Sequence, residues 1–183
     1  DVILAPANPE ICKAVIDVPM NGGQVELLAN VVDSHIRPIV GSTQNTVRIS
    51  ITVHNASKKM RVKQFFASVY AVVKISHATQ EFYVGGLNID LMPYLGARNN
   101  AGDTTSFEFS APLSVPFGFH HEAKDVSRRL ASLNITGANR SNGSVSWKIR
   151  LFMSVGNVLS YSVNLDVPFQ VASGPMEYEE FFQ

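Results

Sequence analysis

The chain has 183 residues, of which 45% are hydrophobic and 16% are charged. This composition excludes a disordered chain, and it excludes a helical bundle with a surface rich in Lys and Glu. The 15 basic and 15 acidic residues cancel, so the chain as a whole has no general attraction for nucleic acid or for an anionic membrane.

Alternating apolar and polar side chains predict that strands dominate the chain. In chain order, strands are expected at residues 14–19, 47–54, 61–75, 81–91, 104–113, 130–136, 144–155 and 159–171. The clearest are residues 47–54 and 144–155, which show the period-two pattern of a half-buried strand. Residues 61–75 are apolar on both faces, which predicts a strand covered on both sides. Pro168 cannot donate to a ladder, so it favours an edge position for the last strand.

Two short helices are predicted beside the strands. Apolar residues at helical spacing predict a helix over residues 24–32, and charges beside Val126 and Leu130 predict one over residues 122–130.

This set of elements predicts an all-β fold, an antiparallel β-sandwich. The connections at residues 92–105 and 117–129 are too long for tight hairpins and fit crossovers between sheets, as in an eight-stranded jelly roll. An immunoglobulin-like sandwich is the main structural alternative, but its connections are usually shorter and the chain has no Cys…Trp…Cys pattern. Residues 1–183 are expected to form a single domain.

A search for catalytic chemistry finds little. The motifs GxSxG, GxxxxGK[ST], GxGxxG and HExxH are absent from the sequence. The single Cys12 excludes an internal disulfide, and it is expected to be an idle residue unless a base packs against it. His120, His121 and Glu122 are adjacent, and adjacent side chains on an extended chain point to opposite sides, so they do not converge on a metal.

Acidic residues also fail to form an evident site. The carboxylates that could pair for acid–base chemistry lie on separate predicted elements: Asp103, Glu108, Asp125 and Asp166. We therefore predict no catalytic residue, no cofactor and no metal, and the chain is not expected to be an enzyme.

Three surface features remain. The basic groups are interpreted as solvated surface: Lys58, Lys59, Arg61, Lys63, Arg128 and Arg129. Four Asn-x-Ser/Thr sequons, at Asn55, Asn134, Asn139 and Asn142, would accept glycans in a secreted protein. The acidic stretch 177–180 precedes Phe181 and Phe182, and an exposed apolar pair predicts that this tail docks on a neighbouring chain.

The C-terminal half resembles the end of the jelly-roll coat proteins of picorna-like viruses, possibly the small coat proteins of secovirus-type members. Residues 107–116 resemble a strand that runs into a Pro and an apolar pair, and residues 143–151 resemble the next strand, which begins at a Gly. Residues 161–171 with Gly174-Pro175 resemble the last strand and its exit. Gln183 is similar to the residue at which the proteases of these viruses cut polyproteins, and Asp1 in place of Met fits an internal product.

The resemblance implies a structural coat (capsid) subunit of an icosahedral positive-strand RNA virus. Asp1 and Gln183 would be the cleavage ends, and residues 1–20 and 174–183 would be extended arms between subunits. The partners would be other capsid subunits, with weak contact to genomic RNA and none with a membrane. The protein would be located in the virion, and in the host cytoplasm during assembly.

A second family from another functional class also fits. The strand at residues 47–53 followed by Tyr83-Val84-Gly85-Gly86 resembles late-embryogenesis-abundant type 2 and fibronectin-like sandwich domains. This alternative implies a monomeric or membrane-tethered binding module. An enzyme on a β-sandwich is the third alternative, and no group of residues supports it.

Overall fold

The structure is a computed structural model, and it describes residues 3–5, 10–20, 22–36, 46–75, 78–96, 100–112, 144–169 and 176–177. These residues form ten strands and one short helix. In chain order they are β1 (Ile3–Ala5), β2 (Cys12–Val18), β3 (Gly23–Ile36), β4 (Thr46–Asn55), β5 (Arg61–Ile75), β6 (Ala78–Asp90), α1 (Met92–Leu95), β7 (Thr104–Pro112), β8 (Ser144–Gly156), β9 (Ser160–Phe169) and β10 (Met176–Glu177).

The strands form two antiparallel sheets. The first sheet has the order β2–β3–β4–β7. The short strand β1 pairs with the C-terminal end of β3, along the same edge as β2. The second has the order β6–β5–β8–β9, and β10 pairs with the start of β8 beside β9. Each sheet is therefore four strands wide, and the predicted all-β antiparallel sandwich is confirmed.

The core fills the space between the two sheets, and the period-two alternation of the sequence places it there. Its largest fully buried side chains come from both sheets and from the start of α1: Leu27, Ile49, Ile51, Phe65, Leu91, Ile149, Leu151 and Met153. The Phe65 ring meets the Phe107 ring edge-on at 6.3 Å between centroids, which joins β5 of one sheet to β7 of the other.

Several predicted strands are confirmed. Residues 47–54, 61–75 and 144–155 lie in β4, β5 and β8, and the weaker predictions at 14–19, 81–91 and 104–113 overlap β2, β6 and β7. Pro168 lies in β9, which pairs only with β8 among the described strands, so its predicted edge position is confirmed. The connection over residues 92–105 does cross between the sheets, and it contains α1.

The helix predicted over residues 24–32 is wrong, because these residues lie inside β3. Val25, Leu27, Ala29 and Val31 are buried at every second position, with β2 on one side and β4 on the other. The described helix is α1, where Pro93 lies in the first turn and Met92 N donates to the Asp90 carboxylate at 3.0 Å. The predictions over residues 113–143, namely the helix at 122–130, the strand at 130–136 and the connection at 117–129, lie outside the described residues.

Within the sandwich class, the strand order differs from the jelly-roll order that was expected. A jelly roll places its first and last strands side by side in one sheet, whereas β2 and β9 lie in different sheets here. The reason is that β8 and β9 remain paired as a hairpin, and so do β3 and β2. The orders β3–β4–β7 and β5–β8–β9 match the orders A–B–E and C–F–G of immunoglobulin-type sandwiches, and β2 and β6 add one strand at an edge of each sheet.

Both proposed arms contribute strands to the sheets of their own chain. Ile3–Ala5 and Cys12–Val18 pair with β3, and Met176–Glu177 pairs with β8. Contacts of residues 1–20 and 174–183 with other subunits stay a prediction.

Candidate binding surface at one end of the sandwich

Three turns that are far apart in the sequence come together at one end of the sandwich. They join β2 to β3, β4 to β5 and β8 to β9. The backbone N–H of Lys58 donates to Gly22 O at 2.9 Å, which ties the second turn to the first. In immunoglobulin variable domains, two of the antigen-binding loops are those that join strands B–C and F–G. The turns β4–β5 and β8–β9 occupy these two positions in the strand order.

We call this surface the loop end and define it by Pro19, Met20, Lys58, Lys59, Val158 and Leu159. These residues line an open cleft of about 390 Å³, together with Val18, Gly22, Met60, Asn157 and Tyr161. The cleft is therefore shared by all three turns.

Large apolar side chains at the loop end are left in solvent. Met20 is 97% exposed, Val158 is 93% exposed and Leu159 is 63% exposed. Met20 also has a φ of 59°, in the left-handed region. A residue that has a Cβ adopts this conformation at a cost of about 1 kcal/mol. Exposed apolar groups clustered around a concave surface, one of them held in a strained conformation, are typical of a binding site.

The charge of the loop end is positive. Lys58 and Lys59 are exposed at the rim of the cleft, and among the described residues that line it there is no carboxylate. The local potential therefore favours an anionic ligand although the net charge of the chain is zero.

A buried polar network fixes the shape of the β4–β5 turn. Asn55 is only 1% exposed, and its Nδ2 donates to Met60 O at 2.9 Å while its Oδ1 accepts from Ser57 N at 3.2 Å. The Ser57 hydroxyl donates to the same oxygen and accepts from Met60 N at 3.2 Å. This is an Asx-type turn, in which an asparagine side chain forms the hydrogen bonds to backbone groups that lack a partner in the sheet. The network holds Lys58 and Lys59 in place.

Gly23 allows the first two turns to approach each other. Its φ is 87°, and a Cβ on it would lie 2.5 Å from Ala56 O. Only glycine fits between the β2–β3 and β4–β5 turns at this point.

The outer face of the second sheet carries a second group of polar residues. Arg150 donates from Nε and Nη2 to the two carboxylate oxygens of Asp166 at 2.8 and 3.1 Å, and Lys148 Nζ donates to Asp166 at 3.0 Å. The Arg150 guanidinium lies 4.8 Å from the centre of the Tyr70 ring, in a cation–π contact. Since the charges are already paired within the group, we interpret it as a structural tie between β5, β8 and β9.

The Asp166 group predicts a pH-dependent contribution to stability. The hydrogen bonds from Arg150, and then those from Lys148, hold the pKa of Asp166 below its ordinary value. A depressed pKa stabilises the fold at pH values above the unfolded-state pKa of about 4, and this stabilisation is lost as the pH falls through the folded-state pKa.

The test is the Asp166→Asn variant. We expect it to be less stable than the wild type by up to about 1 kcal/mol at pH 7, because the site is partly exposed and screened. The difference should shrink as the pH falls below about 4, in urea unfolding at several pH values. A difference that is equal at pH 7 and pH 3 would contradict the role of the carboxylate charge.

The other candidate residues do not come together. Cys12 is half-buried, and burial followed by the Glu10 charge raises the pKa of its thiol, which disfavours a reactive thiolate. Asp103 lies beside Asn55, Glu108 faces Arg48 on the first sheet and Asp166 lies on the second, so they form no carboxylate pair. In the described part of the chain no three His, Cys, Asp or Glu side chains lie close enough to hold a metal ion.

The asparagine of the Asn55 sequon stabilises the β4–β5 turn in this fold. Its Nδ2, the atom that would carry a glycan, is already committed to Met60 O in a buried position. The remaining predicted residues lie outside the described ranges: Asp1, His120, His121, Glu122, Asp125, Arg128, Arg129, Asn134, Asn139, Asn142 and Gln183.

Sequence reasoning missed the loop end. The predicted last strand, residues 159–171, includes Leu159, but β9 begins at Ser160 and Leu159 is exposed. One signal was present in the sequence: Met20 is a large apolar residue between Pro19 and the Gly22-Gly23 pair, where a turn is expected.

No protein-family model matches the chain, and no curated protein matches it either. Among the described residues there is no helix with the length and apolarity needed to cross a membrane.

Proposed function

We propose that the chain is a fibronectin-like β-sandwich binding module, and that its loop end binds an extended peptide segment rich in acidic and apolar residues. The observation that carries the proposal is the arrangement of Met20, Val158 and Leu159 around a cleft rimmed by Lys58 and Lys59. Strand order also supports it, because two of the three turns, β4–β5 and β8–β9, occupy the positions of antigen-binding loops in immunoglobulin variable domains.

The chemistry of the cleft specifies the ligand. Burying an exposed Met, Val or Leu side chain contributes up to about 1.5–3 kcal/mol, and such apolar contacts at the centre of a site dominate affinity. Lysines at the rim raise the association rate and the selectivity for acidic partners, and they contribute less to the affinity. A concave apolar surface fits a side chain that enters it, which favours a peptide over a flat bilayer.

The test is a selection of random peptides displayed on phage against the full chain. We expect the enriched peptides to combine Asp or Glu with aromatic or aliphatic residues. Val158→Asp should weaken the binding of an enriched peptide at least tenfold, since it places a charge at the centre of the apolar surface. Ile11→Asp is the matched control, because Ile11 is also exposed (62%) but precedes Cys12 at the start of β2, whereas the loop end follows Val18 at the other end of that strand. The proposal fails if no peptides are enriched, or if both variants bind equally well.

A coat-protein subunit is the second candidate. The exposed apolar residues of the loop end also favour it, because assembly would bury them between subunits. In this candidate the partners are other capsid subunits, with weak contact to genomic RNA, and the location is the virion. Negative-stain imaging of material from its native source tests it: particles tens of nanometres across that contain this chain and RNA are expected. A glycosylated monomer, with a polypeptide mass of 20.0 kDa, would exclude it.

A further inference from the structure

We infer that the loop end of one copy binds the acidic C-terminal segment, residues 177–183, of a second copy. This inference rests on the proposed function, since it names the peptide that the loop end takes. The chain would then associate head to tail, with the loop end as the head.

Charge complementarity is the first argument. The segment reads Glu-Tyr-Glu-Glu-Phe-Phe-Gln and contains three carboxylates within four residues, at Glu177, Glu179 and Glu180. The loop end presents the exposed ammonium groups of Lys58 and Lys59, and no carboxylate lines the described part of the cleft. Opposite charges at the rim of an apolar site favour encounter and set the orientation of the bound segment.

Apolar complementarity is the second argument. Phe181 and Phe182 directly follow the carboxylates, so an apolar pair and a charged stretch are adjacent in the segment as they are at the loop end. Aromatic side chains are the usual anchors of a binding site because they bury a large area with little loss of rotamer entropy. Met20 at the cleft is a flexible side chain that adapts to such rings.

The position of β10 excludes the same contact within one chain. Met176 and Glu177 pair with Val145 and Ser144 at the start of β8, whereas the loop end lies beyond Gly156 at its other end. At about 3.3 Å per residue, β8 separates these points by about 40 Å. Phe182 is five residues beyond Glu177, and five extended residues span only about 17 Å. The aromatic pair therefore reaches a loop end only on another copy.

Such a contact is heterologous, because two different surfaces meet. It repeats from copy to copy and produces either an open chain, whose average length increases with protein concentration, or a ring that closes at a fixed number of copies. This distinguishes it from a symmetric dimer, which stops at two copies.

The test is sedimentation velocity of the full chain and of two variants over a hundredfold range of concentration. The wild type should increase in average mass with concentration. Val158→Asp, which disables the loop end, and the double variant Phe181→Ser/Phe182→Ser, which disables the segment, should each stay monomeric. Mixed in equal amounts, the two variants should form a species of twice 20.0 kDa and nothing larger. The intact loop end of the double variant binds the intact segment of Val158→Asp, and the two surfaces that remain are both disabled.

A wild type that is monomeric at all concentrations, or variants that associate as well as the wild type, would overturn the inference. A synthetic peptide of residues 176–183 separates this failure from failure of the proposed function. If phage-selected peptides bind the loop end but this peptide binds at least tenfold more weakly, the loop end binds peptides and the self-association is wrong. Binding of the wild-type loop end to phosphatidylserine vesicles in place of the peptide would contradict both proposals.

Discussion

Replacing Phe65 with alanine is expected to lower the free energy of unfolding by about 3–5 kcal/mol. Phe65 is fully buried in β5, an inner strand of the second sheet, and its ring meets the Phe107 ring of the first sheet edge-on. Removing the ring leaves a cavity between the sheets that the surrounding β ladders cannot close. Urea unfolding followed by the fluorescence of Trp147, which is buried in the same core, measures the change.

The neighbouring Phe66 provides a matched control for this prediction. It has the same side chain on the same strand, but it is half-buried on the opposite face of the sheet. Phe66→Ala is expected to cost about 1 kcal/mol. Equal losses for the two variants would contradict the assignment of the inner and outer faces of β5.

Replacing Asn55 with alanine is expected to lower the free energy of unfolding by about 2–4 kcal/mol. The change removes the Asn55 donor to Met60 O and the Asn55 acceptor of both the Ser57 N–H and the Ser57 hydroxyl. As a donor, the hydroxyl keeps only its longer contact with Met60 O, at 3.3 Å, and the buried Ser57 N–H loses the partner that the network supplies. Because the network shapes the β4–β5 turn, the variant should also bind a selected peptide several-fold more weakly at temperatures where it is still folded.

Asn164→Ala is the control for the Asn55 variant, since Asn164 is an exposed asparagine on β9 and surface changes usually stay within about 0.5 kcal/mol. If Asn55→Ala is no more destabilising than Asn164→Ala in the same urea titration, the turn does not depend on the Asx network.

The sequence was most informative where one face of a strand is buried and the other is solvated. The alternation at residues 47–54 specifies both the strand and its inward face, and Val47, Ile49, Ile51 and Val53 are all buried. Residues 24–32 misled the helix prediction because a short apolar run fits both periods. Pairing with β2 and β4 on either side makes these residues a strand, and the periodicity within residues 24–32 does not show those partners.

The loop end could not be predicted because the turns between β2 and β3, β4 and β5, and β8 and β9 become neighbours only through the long-range pairing of the sheets. The same reason explains why the strand order could not be predicted. The alternation within each strand shows which face is buried, but it does not show which sheet a strand joins, so jelly-roll and fibronectin-like orders produce the same pattern. The hairpin joining β8 to β9, with both strands in one sheet, is a property of the assembled fold.

The most direct test of the account is a two-dimensional amide NMR titration of the full chain with a phage-selected acidic–aromatic peptide. We predict that the largest shift changes occur at Met20, Lys58, Lys59, Val158 and Leu159, and that Lys148 and Arg150 on the outer face of the second sheet are unchanged. Shift changes confined to that outer face or to the sheet edges, with the loop end unaffected, would contradict the claim that the three turns form the binding site.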